Sequence, residues 1–336
     1  MALIFNCMMS DFRSLKISRR NALLGFTAMA VAGVSAPVAH ARAQVSVVAT
    51  TGMIADAARI VGGDYVDVQG LMGAGVDPHA YRQTRSDIVA MTRADVVLWH
   101  GLYLEAQMED FFADLGRKRQ VVSVAEDLPR DLLLAHEDYE GRFDPHVWMD
   151  PNLWARVVNR VRDALTMVYP EAGGQFAANT ADYLTELNAL DRYSRQVLGD
   201  LQPEQRVLLT AHDAFGYFGA AYDFEVLGVQ GISTASEAGL NRITELVNLL
   251  VARDIRAVFV ETSVSDRNMR ALIEGAAAQG HEVTIGGSLY SDAMGRDGTY
   301  EGTYLGMIDH NVTTIARALG AQAPQGGRLG KLGVNS

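Results

Sequence analysis

The sequence of 336 residues contains a single cysteine, Cys7. A disulfide framework needs pairs and a thiolate metal cluster needs several thiols, so both are excluded. Basic charge is scarce as well: 29 lysines and arginines face 40 acidic residues, for a net charge of −11. A nucleic-acid binder presents a basic face, and that class is set aside. The local signatures of common enzymes are missing. There is no His-Glu-x-x-His, no Gly-x-Ser-x-Gly and no P-loop. Gly73-Ala74-Gly75 is a loop signal, too weak to cradle phosphate. Neither an internal sequence repeat nor a low-complexity tract occurs. What is present is 49% hydrophobic and 21% charged, the balance of an ordinary globular protein of about two domains.

Residues 1–43 read as an export signal. Ser18-Arg19-Arg20 supplies charge ahead of the uncharged, mostly apolar run 22–36. A membrane span needs about 20 apolar residues, so a cleaved signal is the reading and a transmembrane anchor the alternative. Ala41-Arg42-Ala43 fits a cleavage site, with Ala39-His40-Ala41 as a second choice. The arginine pair points to a twin-arginine signal, although Ala22 stands where that class prefers an aromatic. No cysteine follows the apolar run, so lipid attachment there is not expected. The segment carries Arg13, Lys16, Arg19, Arg20 and Arg42 against Asp11, and its removal deepens the net charge to −15. The expected location is the periplasm.

Beyond residue 43, short β-branched runs alternate with helical patterns. Strands are expected at 45–50, 66–71, 95–100 and 120–124, then at 206–210, 225–230, 257–261 and 282–285. Helical patterns fall at 53–61, 104–115, 243–253 and 268–279. This alternation predicts βαβ units and parallel sheets. Between the two sets of strands, 152–168 and 171–201 are both helical, with Pro170 between them. Tyr183, Leu187, Leu190, Ser194, Val197 and Leu201 repeat at the spacing of one helix face. The reading is an α/β protein of two parallel-sheet (β/α)4 lobes, 44–168 and 203–320, joined by one long rigid helix over 169–202. Two shorter helices within one lobe are the alternative. The Gly-rich stretch 321–336 is expected to be a flexible tail.

Two histidines share a motif, Asp77-Pro78-His79 and Asp144-Pro145-His146. Proline fixes its own φ and forces the preceding residue to be extended, so the histidine sits on a stiff turn. An aspartate two residues earlier can steer the ring, as carboxylates do behind metal-ligating imidazoles. Either motif alone reads as a satisfied loop histidine. Two copies after two different strands favour metal ligation. His79, His146, His212 and Asp292 all fall beyond the carboxyl ends of expected strands, where open α/β sheets bind ligands. Three imidazoles and one carboxylate suit Zn²⁺ and accept Mn²⁺. Spacing alone does not select Asp292 from the other acidic residues. His100 reads as a core or supporting residue and His136 as a weak outer site. His281 and His310 read as structural surface positions.

At these residues the sequence resembles a known family, the periplasmic metal-binding proteins of cluster A-I (cluster 9) ABC importers, or TroA/ZnuA/PsaA-like group. The resemblance covers about residues 45–320. It is carried by Ala49-Thr50-Thr51-Gly52-Met53-Ile54, Gly75-Val76-Asp77-Pro78-His79, Gly101-Leu102-Tyr103-Leu104-Glu105 and Asp144-Pro145-His146-Val147-Trp148. Thr210-Ala211-His212-Asp213-Ala214-Phe215-Gly216-Tyr217-Phe218, Phe259-Val260-Glu261-Thr262-Ser263 and Ser291-Asp292-Ala293-Met294-Gly295 complete it. The resemblance implies two α/β lobes on a long helix and a ligand set of His79, His146, His212 and Asp292. It implies transport of Mn²⁺ or Zn²⁺ as cargo, without catalysis or an organic cofactor, by a monomer that docks on a membrane permease with a separate ATPase. Histidine at the third position leaves the metal open between zinc members and members that take both metals. The short loop before the second Asp-Pro-His, with only His136, departs from dedicated zinc members. Two alternatives stand beside this: a metal buffer or adhesin without transporter, and a zinc hydrolase with Glu261 as base. Neutral imidazoles are required as ligands, so affinity is expected to fall below about pH 6.

Overall fold

The computed structural model describes residues 44–136, 139–236 and 238–333. The expected export segment lies outside the described residues. Chain order is β1 (Val45–Ala49), α1 (Gly52–Gly62), β2 (Val66–Gly70), α2 (Arg85–Arg93), β3 (Val96–Trp99), α3 (Glu109–Gly116), β4 (Gln120–Ser123), α4 (Pro151–Val168) and α5 (Gly173–Gly199). There follow β5 (Val207–His212), α6 (Gly216–Tyr222), β6 (Glu225–Gln230), α7 (Leu240–Arg253), β7 (Ala257–Glu261), α8 (Arg267–Ala278), β8 (Thr284–Leu289) and α9 (Tyr304–Ala318). The expected alternation of strand and helix is what the chain adopts.

Local chemistry starts several helices. Thr51 caps α1 by accepting from Ile54 N. Thr84 and Asp87 form a reciprocal capping box on α2. Asp150 caps α4, whose first residue is Pro151, where a missing N–H costs nothing. Leu153, Trp154, Val157, Val158, Val161 and Leu165 then bury one face of α4.

The first sheet has the order β2-β1-β3-β4 and all its pairings are parallel. Val47 faces Val68 on one side and Val96 on the other. In the C-terminal half β5 pairs with β6 and β7 with β8, again in parallel, and β5 lies beside β7. The spatial order β6-β5-β7-β8 therefore repeats that of the first half. The sequence shows no repeat because topology is retained by burial pattern and not by residue identity.

Helix α5 is 27 residues long, or about 40 Å. It is one continuous helix and not two, with Tyr183, Leu187, Leu190, Ser194 and Val197 buried along it and Leu201 buried just beyond its end. It packs on α1 and α4 of the first half and on α6 and α9 of the second, so one helix underlies both halves. Within the described residues both halves belong to one compact unit.

Some boundaries differ from expectation. The fifth strand runs on to His212, which ends it instead of following it. The last strand is displaced to Thr284–Leu289. The helical pattern at 104–115 yields α-helix only from Glu109, because Gly101, Leu102 and Tyr103 hold φ of 85°, 53° and 69°. Residues 321–333, read as a loose tail, are tied to α9. Asp309 accepts from Arg328 N at 2.9 and 3.0 Å, Arg328 reaches Glu186 at 2.9 Å, and Leu332 is buried.

Candidate metal centre

The carboxyl ends of four strands converge on four side chains. His79 lies in the loop after β2, His146 in the loop after β4, His212 ends β5, and Asp292 follows β8 by three residues. All four are buried: His79 is 5% exposed, Asp292 2%, and His146 and His212 are fully enclosed. One ligand atom from each lies within 4.8 Å of every other. His79 Nε2 is 3.2 Å from His146 Nε2. His146 Nε2 is 3.3 Å from Asp292 Oδ1, and His212 Nε2 is 3.2 Å from Asp292 Oδ2. A tetrahedral ion with bonds of about 2.0–2.1 Å sets its ligand atoms about 3.3 Å apart. His212 Nε2 and Asp292 Oδ1 make no hydrogen bond among the described residues. Buried polar atoms rarely go unpaired, and here they are arranged to share an ion with their neighbours. The residues present fit a divalent metal.

The ring nitrogens facing away from the cluster are held by carboxylates. Asp144 Oδ1 is 2.6 Å from His146 Nδ1 and also accepts from His146 N at 2.9 Å. Glu261 Oε2 is 2.5 Å from His212 Nδ1, while its Oε1 accepts from His212 N at 2.9 Å. Asp144 fixes the His146 imidazole with Nδ1 protonated and Nε2 aimed at the cluster, and the Glu261 carboxylate lies against His212 Nδ1 as an ion-pair partner. Glu261 is thus spent on positioning His212 and is not the free base that a hydrolase requires. Asp77 behaves differently from Asp144: its Oδ1 accepts from His79 N at 2.8 Å, but its Oδ2 takes the Thr234 hydroxyl at 2.6 Å.

Charge within this enclosure is set by competition between burial and neighbours. Burial opposes protonation of His146, yet Asp144 and Asp292 outweigh it and lift its pKa to about 9. Burial also opposes the charge on His212, and Asp292 and Glu261 raise its pKa well above the usual range. Burial would raise Asp292, but His212 and His146 pull it well down. His79 has no carboxylate on its ring, and burial lowers it to about 3. Without metal, the carboxylates thus favour the charged forms of His146 and His212 and burial favours a neutral His79.

Further residues frame the cluster. The Trp148 indole N–H donates to Ser291 O at 2.8 Å, joining the His146 loop to the Asp292 loop. Its ring meets His146 and His100 edge-on, at 5.2 and 5.0 Å between centroids. Burial holds His100 neutral with a pKa of about 3, and its Nε2 donates to Pro145 O at 2.7 Å. The left-handed coil 101–103 is fastened from beneath. Glu105 Oε1 accepts from Thr50 Oγ1 and His100 N at 2.6 and 2.8 Å, and Glu105 Oε2 accepts from Gly101 N at 3.2 Å. Leu102 and Tyr103 in left-handed backbone mark strain kept at a site, here beneath His100 and the His146 turn. A Cβ on Gly101 would meet Glu126 Oε2 at 2.9 Å.

A profile for the family described as "Zinc-uptake complex component A periplasmic" matches residues 47–318. The chain belongs to this family. It is 48% identical over 277 residues to the manganese-binding lipoprotein MntA of Bacillus subtilis (strain 168), covering 82% of this chain and 90% of that protein. It is 46% identical over 273 residues to the zinc-binding protein TroA of Treponema pallidum (strain Nichols), covering 81% and 88%. The solved structure of the periplasmic zinc-binding protein TroA from Treponema pallidum superposes with a TM-score of 0.80, over 82% of this chain and 99% of that one. Two relatives of comparable identity to this chain are therefore named for different metals. The likeness to TroA also carries the α/β fold with its long helix and two-lobe arrangement.

The four expected ligand residues are the four that the fold brings together. His100 supports the His146 turn, as its position at the end of β3 suggested. His136 is outside the cluster, its ring 4.7 Å from Tyr139, beside a cavity of about 60 Å³ that also touches His79. His310 departs from its reading as a surface position. It is 6% exposed and its Nε2 bonds Ser288 O at 2.8 Å, because α9 packs on β8. His281 is likewise half-buried, with Nε2 2.7 Å from Ile255 O. Glu261 and Trp148 were missed as positioning residues. The only hint was a charge at the end of the buried run 257–261.

Proposed function

We propose that this chain is an extracytoplasmic solute-binding protein that captures Mn²⁺ or Zn²⁺ through His79, His146, His212 and Asp292. It acts as a monomer and delivers the ion to an ABC permease driven by a separate ATPase. Export through a cleaved, twin-arginine-like signal over residues 1–43 places it in the periplasm. Residues 44–168 and 203–320 act as the two lobes about the helix 169–202.

The observation that carries this reading is the enclosed His₃Asp cluster with its ligand atoms within 4.8 Å of one another. Zn²⁺ bound by four protein atoms keeps no open position, so no water is activated and the ion is held as cargo. Both Asp292 oxygens lie at the cluster, at 3.3 and 3.2 Å from imidazole nitrogens. One oxygen suffices for tetrahedral Zn²⁺, and both raise the coordination number for Mn²⁺. The Irving–Williams order makes Zn²⁺ the tighter of the two, so the cargo follows metal supply. The continuous α5 limits bending and predicts small closure.

The test is titration of the chelator-stripped protein with Zn²⁺ and with Mn²⁺ by calorimetry, with bound metal counted by mass spectrometry. One site for both metals, lost or weakened in Asp292→Ala, is expected. Absence of stoichiometric binding for either metal overturns the reading.

A further inference from the structure

The two Asp-Pro-His turns match in sequence but are held differently. At His146 one carboxylate serves the turn and the ring together, through His146 N and Nδ1. At His79 the carboxylate serves only the turn, through His79 N. No hydrogen bond holds His79 Nδ1 among the described residues. The spare oxygen of Asp77 reaches instead to Thr234, 157 residues away on the loop between β6 and α7. That loop is itself anchored. Gln230 Nε2 donates to Ser236 O at 3.1 Å and Ile232 is buried. Behind the contact lies a cavity of about 190 Å³ lined by Asp77, Gln230, Thr234, Ser263 and Ser265. At this point a hydrogen bond between side chains joins the two halves.

Resting on the capture reading above, we propose that Thr234 is a positioning residue for metal retention: its hydroxyl latches Asp77 across the cleft and so keeps His79 on the ion. His79 is the ligand with the most solvent contact and the one whose ring lacks a carboxylate behind it. It is thus the ligand that leaves first when the halves part. A bond across the cleft that must break before the halves part slows dissociation and leaves the encounter rate nearly untouched. The charged acceptor makes it one of the stronger hydrogen bonds. The thing held is a loop of the second half against a ligand turn of the first, so closure and ligation become one event.

The experiment measures Zn²⁺ release into excess chelator by stopped flow, with the association rate and the melting temperature of the metal-free protein alongside. Thr234→Val keeps the shape and removes the donor, and Thr234→Ala removes the donor together with the γ-methyl. Both are expected to release Zn²⁺ roughly tenfold faster, the scale of a hydrogen bond to a charged group, at unchanged association rate. Thr234→Ser should restore the wild-type rate. Release within twofold of wild type in both variants overturns the latch, as does a failure of serine to rescue. His146→Ala separates this from the underlying reading. If His146→Ala abolishes tight binding while Thr234→Val releases at the wild-type rate, the latch alone fails. If His146→Ala binds like wild type, the ligand set fails and the latch falls with it.

Discussion

Loading the metal should expel protons, and their number follows from the arrangement of carboxylates. His146, with a pKa near 9, carries a proton at pH 7.5 in the metal-free protein, and Asp292 and Glu261 favour the protonated form of His212 as well. His79, near 3, carries none. A ligand nitrogen must be neutral at Nε2, so bound Zn²⁺ displaces close to two protons. The sign is fixed by competition: lowering the pH favours the protonated, metal-free state and weakens binding. Each displaced proton costs a factor of ten per pH unit, about 1.4 kcal/mol. From pH 8 to pH 7 the affinity should therefore fall by up to about 100-fold. Imidazoles at the ordinary value near 6.5 would be almost all neutral over that range and would shift it little. The structure thus moves the expected loss of affinity from below pH 6 to the neutral range. The assay is calorimetry at pH 7.5 in buffers of different ionisation enthalpy, which counts released protons directly. Glu261→Gln removes one of the two carboxylates serving His212, and its proton count should drop towards one. Release of fewer than about half a proton by the wild type would refute the reasoning, because His146 and His212 would then already be neutral.

Trp148→Phe keeps the ring against His146 and His100 but loses the donor to Ser291 O. One buried bond of this kind is worth about 1–2 kcal/mol, so Zn²⁺ affinity should fall roughly tenfold by competition titration, and an unchanged affinity would remove Trp148 as a link between the ligand loops. Asp56 accepts from Tyr304 N at 2.9 Å, joining α1 to the start of α9, and burial raises its pKa to about 6. A carboxyl raised in the folded state favours folding while protonated, and that advantage is lost as pH rises from about 4 through 6. Asp56→Asn should therefore exceed wild type in stability by up to about 3 kcal/mol above pH 7 and match it near pH 4. Denaturant midpoints at pH 4.5 and 8 would test this, and parallel pH profiles for the two proteins would count against it.

What the sequence by itself determined is local. β-branched runs and 3.6-residue periodicity act over a few residues, and they reveal the strands of both sheets and the buried stripe of α5. Proline geometry acts over three residues, so Asp77-Pro78-His79 and Asp144-Pro145-His146 were legible as stiff turns carrying imidazoles. Placement at the ends of parallel strands then pointed the histidines at one another. Asp292 was different, because nothing within a few residues distinguishes it from other acids, and its selection rested on likeness to a family. Only the tertiary structure decided which carboxylate serves which ring. Asp144 turns back onto His146, Asp77 turns away to Thr234, and Glu261 reaches His212 because β5 lies beside β7. The burial of His310 and the tying of residues 321–333 to Asp309 were decided in the same way. Asp144–His146 is local and legible in its motif, whereas the other contacts join residues 19 to 157 positions apart. Their energy comes from burial and hydrogen bonding between elements that already exist, so no spacing along the chain records them.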